Sequence, residues 1–233
     1  MDMILECRGL SKYYGSSVCA LNSINLQVGR GRIVGLLGPN GSGKSTMLKM
    51  ANGLLTPSAG VLTIGGNLVG LETKEIVSYL PERTYLNDWM RVRDLIGFFK
   101  DFYHNFNEAK AYDMLSRLSI NPQDRLKTMS KGTKEKVQLV LVMSREAELY
   151  LLDEPIGGVD PAARDYILNT ILGNYNENAT IIISTHLISD IEQILDDVIF
   201  INRGNITMAA TVDQIREQRG MSVDELFREE FKC

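Results

Sequence analysis

Four continuous apolar segments predict strands that are buried on both faces of a sheet. They lie at residues 33–37, 149–152, 181–183 and 198–201. None shows the alternation of apolar and polar residues that is typical of a half-exposed strand. The first three each lead into a polar loop and then into a helical pattern. This order predicts an α/β fold with a mainly parallel sheet, in which the three loops converge on one ligand site.

The stretch before these segments has a different pattern. Up to Val28, apolar and polar residues alternate around turn signals at residues 14–15 and 22–23, which predicts short antiparallel strands. Residues 61–64, which are closed by two glycines, are expected to join the same sheet. The chain therefore begins with an antiparallel β subdomain.

Between Arg91 and Met143 the periodicity becomes helical. Apolar residues recur at a spacing of three and four, as they do on one face of an amphipathic helix. They are Leu95, Phe98, Phe99, Phe102, Tyr103 and Phe106, with Leu115 and Leu118 in a second segment. We expect a helical subdomain inserted into the α/β domain. After it, a turn at residues 202–205 joins two strands, and short amphipathic helices continue to Phe231.

No repeat or low-complexity linker interrupts the chain, which indicates a single domain. The changes in periodicity divide this domain into parts. The predicted parts are an antiparallel β subdomain (1–32 and about 58–72), an α/β core (33–57 and 146–201), a helical subdomain (83–145) and a C-terminal hairpin with short helices (202–233).

Composition and charge exclude several classes of partner. With 44% hydrophobic residues, 23% charged residues and a net charge of -4, the chain is typical of a globular protein without attraction to polyanions. We therefore expect no nucleic-acid partner. The three distant cysteines indicate reduced thiols in the cytoplasm. Because no apolar run reaches the roughly 20 residues that cross a bilayer, a membrane role must come through another protein.

A glycine-rich segment, which we call the phosphate loop, follows the first buried strand and opens a helix. It consists of Gly38, Pro39, Asn40, Gly41, Ser42, Gly43, Lys44, Ser45 and Thr46. Glycines let successive backbone N–H groups and the helix N-terminus face phosphate groups, while Lys44 adds a positive charge. We expect this loop to bind MgATP and Ser45 to coordinate Mg²⁺.

Two further strand ends carry groups suited to phosphate hydrolysis. Asp153 can hold Mg²⁺ through water, and Glu154 can orient or deprotonate the attacking water. His186 follows the next strand, where an imidazole could contact the γ-phosphate. An Asp-Glu pair or a single histidine is weak evidence alone, but both gain weight at the edge that carries the phosphate loop.

The order of these elements resembles the nucleotide-binding subunit of an ABC transporter over nearly the whole chain. The resemblance implies a stacking aromatic residue at Tyr14, a glutamine loop that ends at Glu82, a signature at residues 129–133, a D-loop containing Asp160 and a switch histidine at His186. In such proteins two subunits enclose two ATP molecules. Each site would then combine the phosphate loop of one chain with the signature of the other.

The signature has a physical reason as well. Ser130 and Gly132 at a helix N-terminus can present a hydroxyl group and a backbone N–H to an anion. The signature departs from the family's common form at Lys131 and Thr133, and Glu82 replaces the usual glutamine. A carboxylate at position 82 could bind Mg²⁺ or repel the γ-phosphate. Similar variants occur in ATPases that serve exporter-type permeases, although they could also mark one half of a heterodimer.

The resemblance implies a cytoplasmic ATPase that is attached to the membrane through a separately encoded permease. The alternative is a soluble ABC-type ATPase that acts on a ribosome or DNA partner, which the single nucleotide domain and the lack of sustained heptads disfavour. Tyr85, Leu86 and Trp89 are expected either to line the docking groove for the permease or to be buried in the helical subdomain.

Overall fold

The computed structural model describes residues 2–15, 18–157 and 161–231. Its strands are β1 (Met3–Tyr14), β2 (Val18–Gly29), β3 (Ile33–Leu37), β4 (Ala59–Ile64), β5 (Asn67–Leu68), β6 (Val77–Leu80), β7 (Leu149–Asp153), β8 (Thr180–Thr185), β9 (Asp197–Asn202) and β10 (Asn205–Thr211). Its α-helices are α1 (Lys44–Ala51), α2 (Leu71–Ile76), α3 (Val92–Phe102), α4 (Glu108–Arg117), α5 (Lys131–Met143), α6 (Pro161–Leu172), α7 (Ile188–Ile191), α8 (Val212–Arg219) and α9 (Val223–Phe231).

The core is a six-stranded sheet in the order β10-β9-β3-β8-β7-β6. Neighbouring strands are parallel except at β10, which forms an antiparallel hairpin with β9. All four apolar segments of the sequence lie in strands of this sheet, which confirms the α/β fold with a mainly parallel sheet. β6 was not predicted, because its four residues, Val-Ser-Tyr-Leu, do not form a continuous apolar run.

The antiparallel sheet has the order β2-β1-β4-β5, and β4 joins it as predicted. The turn predicted at residues 22–23 is wrong, since both residues lie within the long strand β2. Ser23 has a φ of 48°, and three steps along β2 from Ile24 to Leu21 oppose two steps along β1. The local turn signal is therefore a bulge, which bends a strand without ending it.

The helical subdomain consists of α3, α4 and α5, as the periodicity predicted. Leu95 and Phe99 on α3 are buried against the other helices, whereas Phe98 and Phe102 are exposed. Ser130 caps α5, because its side chain accepts a hydrogen bond from the backbone N–H of Thr133. No helix in the described ranges is both long enough and apolar enough to span a bilayer.

Two apolar cores lie on opposite faces of the parallel sheet. Along β3, Ile33 and Leu37 belong to the core beneath the helical subdomain, while Val34 and Leu36 face the antiparallel sheet. The side chains alternate between the two cores because successive residues of a strand point to opposite faces. This double burial explains why the strand has no polar position.

The buried guanidinium of Arg145 ties the helical subdomain to the edge of the core sheet. Arg145 is 4% exposed, and its guanidinium lies 3.8 Å from the centre of the Tyr103 ring. Its side chain donates hydrogen bonds to the carbonyl oxygens of Lys74, Glu75 and Val77 and to the side-chain oxygen of Asn105. The arginine therefore fixes the end of α2 and the start of β6.

We expect Arg145→Met to lower the free energy of unfolding by roughly 2–4 kcal/mol, because several carbonyl groups lose their donor. Urea denaturation would measure the change. The control is Arg117→Met, which removes an exposed ion pair with Asp113 and should change stability by about 0.5 kcal/mol or less. Equal effects of the two substitutions would contradict the anchoring role of Arg145.

Candidate functional site

The phosphate loop turns sharply between the end of β3 and the start of α1. A side chain at Gly38 would place its Cβ 2.2 Å from the carbonyl oxygen of Ile201. Gly43 has a φ of 116°, and a Cβ there would lie 2.5 Å from the carbonyl oxygen of Ala20. Both positions therefore require glycine, and the loop fits closely against β2 and β9.

Lys44 is 5% exposed and lies within the curve of this loop. Its Nζ donates hydrogen bonds to the carbonyl oxygens of Gly38 at 2.7 Å and Pro39 at 3.2 Å, and it is 3.9 Å from Glu154 Oε1. Burial lowers the pKa of Lys44, and the nearby carboxylates, Glu154 foremost, act in the opposite direction. The loop thus holds a desolvated cation against its own backbone carbonyl groups.

The carboxylate of Asp153 lies at the end of β7 and is 1% exposed. Its Oδ1 accepts hydrogen bonds from Ser45 Oγ at 3.0 Å and from Ser184 Oγ at 2.6 Å. The three oxygens converge from α1, β7 and β8. Sequence reasoning missed Ser184.

Glu154 begins the loop after β7 with a φ of 49°, an unusual value for a residue other than glycine. Its backbone N–H donates to the carbonyl oxygen of Ser184 at 2.9 Å. The Glu154 carboxylate lies 3.1 Å from His186 Nδ1 and accepts a hydrogen bond from Thr185 Oγ1 at 3.2 Å. β8 therefore supplies contacts that hold Glu154 in a strained conformation.

A cleft of about 1020 Å³ joins these groups. Of the residues predicted for the site, it is lined by Tyr14, Asn40, Gly41, Ser42, Gly43, Lys44, Ser45, Thr46, Glu82, Glu154 and His186. Gly38 is buried beneath the loop, while Pro39 and Asp153 line smaller neighbouring cavities. The loops after β3, β7 and β8 therefore meet at one site, as the strand order predicted.

Two residues of the signature lie outside the lining of the cleft. Ser130 and Gly132 are exposed at the start of α5 and are not among the described residues that line the cleft, although Lys131 is. Asp160 lies outside the described residues. The cleft also contains basic residues that sequence reasoning did not predict: Arg83, Lys131 and Lys134. Their spacing gave a weak signal, since Lys131 and Lys134 share one face at the start of a helix.

The buried ammonium of Lys44 gives a pH-dependent stability that can be measured without nucleotide. Because its folded pKa lies below the ordinary value of 10.5, the unfolded chain binds more protons in the window between the two values. Stability therefore rises with pH through that window. We expect the unfolding free energy of the wild type to increase relative to that of Lys44→Met as the pH rises from 7 towards 10.5.

Urea denaturation at several pH values would measure this difference. The matched control is Lys49→Met, which removes an exposed ammonium group from the same helix. The difference in unfolding free energy between the wild type and this variant should not increase with pH. A wild-type advantage that falls with rising pH would contradict the assignment of a lowered pKa to Lys44.

Comparison with known proteins places this geometry in a family. The sequence model described as "ABC transporter" matches residues 21–157. The linearmycin resistance ATP-binding protein LnrL of Bacillus subtilis is 27% identical over 93% of this chain and 72% of its own length. The Nod factor export ATP-binding protein I of Cupriavidus pinatubonensis is 29% identical over 99% of this chain and 73% of its own.

A solved structure described as the ATP binding subunit of an ABC transporter superposes with a TM-score of 0.85 and 32% identity. The superposition covers 97% of this chain and 98% of that one. The resemblance inferred from the motifs is confirmed. This chain belongs to the ABC transporter family of ATP-binding proteins, which are ATPases.

Proposed function

We propose that this chain hydrolyses ATP to power a separately encoded transmembrane permease of the exporter type, through ATP-dependent dimerisation. Two of the related proteins support export, since one is named for linearmycin resistance and another for Nod factor export. The altered signature and Glu82 support the same branch. The chain would lie at the cytoplasmic face of the membrane, attached through the permease.

The separation of the phosphate loop from Ser130 and Gly132 carries this proposal. Lys44, Glu154 and His186 line one cleft, whereas Ser130 and Gly132 are exposed outside it at the N-terminus of α5. A helix N-terminus with a serine cap is suited to bind an anion. Two chains arranged head to tail would bring this end of α5 to the γ-phosphate held by the partner's cleft. Asp160 is expected to contribute at the same junction.

Hydrolysis needs an activated water, a neutralised triphosphate and a group that responds to the γ-phosphate. The Glu154 carboxylate orients and deprotonates the water that attacks the γ-phosphorus, and the bond to the leaving oxygen of ADP breaks. Lys44 offsets the charge of the phosphates. His186, which is hydrogen-bonded to Glu154, links the position of the base to the γ-phosphate. Tyr14 lines the cleft and is 42% exposed, so its ring is available to stack on adenine.

The oxygen groups at the base of the cleft fit Mg²⁺. Ser45 Oγ and Asp153 Oδ1 lie 3.0 Å apart, and hard cations such as Mg²⁺ prefer carboxylate, hydroxyl and phosphate oxygens. Ser45 and Asp153 would hold the ion, with Glu82 as a further carboxylate at the edge of the cleft. When bound, Mg²⁺ neutralises charge on the phosphate oxygens.

Two exposed aromatic residues support a permease contact beside the Glu82 loop. Trp89 is 67% exposed and Tyr85 is 56% exposed, whereas Leu86 is buried. Large aromatic side chains that face solvent are typical of interaction surfaces. We therefore assign Tyr85 and Trp89 to the permease contact and Leu86 to the core beneath them.

Glu154→Gln should abolish turnover while ATP binding continues, because an amide cannot accept the proton of the attacking water. The variant should form a stable dimer when ATP is added, which size-exclusion chromatography with light scattering would detect. Lys44→Ala in the same background is the control and should remain monomeric. Turnover by Glu154→Gln at the wild-type rate would contradict the role of Glu154 as the base, and a variant that stays monomeric with ATP would contradict the proposed dimerisation.

Trp89→Ala should weaken co-purification of this chain with its permease while ATP affinity and thermal stability stay unchanged. The reason is that an exposed aromatic side chain contributes to binding and little to folding. Leu68→Ala, at an equally exposed position in the antiparallel sheet, is the matched control. Unchanged permease recovery with Trp89→Ala, or loss of the fold, would remove Trp89 from the contact.

A further inference from the structure

A single polar residue interrupts the buried stretch of α5. Residues 137–143 are buried and apolar except for Gln138, which is 3% exposed. Its Oε1 is buried without a hydrogen-bond partner in the described part of the chain. A buried acceptor without a donor destabilises the fold, and an apolar residue would suit the same position. Folding alone therefore does not explain a glutamine here.

The other end of the same amide makes a specific contact. Gln138 Nε2 donates a hydrogen bond to the carbonyl oxygen of Pro81 at 3.2 Å. That carbonyl belongs to the peptide bond between Pro81 and Glu82, which is planar. Proline also fixes its own φ angle. A hydrogen bond to this carbonyl thus restricts the orientation of the peptide plane from which Glu82 begins.

Glu82 lies where two cavities meet. It lines the large cleft with Lys44, and it also lines a cavity of about 30 Å³ together with Gln138, Asp153 and Glu154. Its negative charge acts on the buried ammonium of Lys44. Small movements of the loop that carries Glu82 would therefore change the electrostatic potential at the groups that bind and hydrolyse the nucleotide.

We propose that Gln138 is a positioning residue, whose hydrogen bond to Pro81 sets the location of Glu82 relative to Lys44, Asp153 and Glu154. The inference rests on the proposed hydrolysis. α5 is one continuous helix that begins at Lys131, roughly 10 Å from Gln138. The bond therefore connects the helix that presents the signature to the Glu82 loop of the same chain.

The test is a double-mutant cycle in ATP turnover by the full chain. Gln138→Met keeps the size and the helix propensity of the side chain but removes the donor. We expect it to lower kcat by about fivefold, the effect of losing one neutral hydrogen bond, and to leave the dissociation constant for a fluorescent ATP analogue unchanged. In a Glu82→Ala background the same substitution should change kcat by less than about twofold.

Leu141→Met is the matched control, because it places the same side chain at another buried position of α5. It should leave kcat close to the wild-type value. If Gln138→Met does not fold, Gln138→Asn keeps the amide but shortens its reach by one methylene, and it enters the same cycle.

An equal loss of kcat with and without Glu82, or no loss in the single variant, would overturn the positioning role. A merely structural role predicts the first of these results, because a general loosening of the subdomain would not depend on Glu82. Failure of the proposed function is distinguishable, since it would appear as absence of ATP turnover and of an ATP-dependent dimer in the unsubstituted chain, whatever residue 138 is.

Discussion

The arrangement of the site depends on the hydrogen bonds that the buried carboxylate of Asp153 accepts. A carboxyl group that is 1% exposed must be compensated by hydrogen bonds or by opposite charge. Ser45 and Ser184 supply the hydrogen bonds, and the ammonium of Lys44 adds a nearby positive charge. Because Ser45 and Lys44 follow β3, Ser184 lies in β8 and Asp153 ends β7, satisfying one carboxylate brings together the ends of three parallel strands.

The position of Glu154 depends on the same arrangement. Its backbone bonds to Ser184, and its side chain is held by Thr185 and His186. The strand β8 therefore supports both neighbouring carboxylates at once. The left-handed conformation of Glu154 is sustained by these contacts, and it turns the chain towards the cleft immediately after a strand that is buried on both faces.

The sequence was sufficient to predict features that have strong local signals. Continuous apolar runs predicted the core strands, and the glycine pattern after the first run predicted the phosphate loop. β6 could not be predicted, because Ser78 is satisfied by a hydrogen bond to the backbone of Val142, which is distant in the sequence. For the same reason the bonds of Ser184 and Gln138 were not foreseen, and the bulge at Ser23 resembled a turn. Contacts across the fold, rather than local propensity, decide these features.

The described chain presents a cleft, and Ser130 and Gly132 are exposed outside its lining at the start of α5. We propose that each working site combines Lys44 of one chain with Ser130 of another. Mixing Lys44→Ala with Ser130→Ala tests it most directly, since each mixed dimer would then contain one intact site. We predict ATP turnover well above that of either variant alone, near roughly a quarter of the wild-type rate for random pairing of independent sites. Turnover of the mixture equal to the mean of the two separate variants would contradict a site shared between two chains.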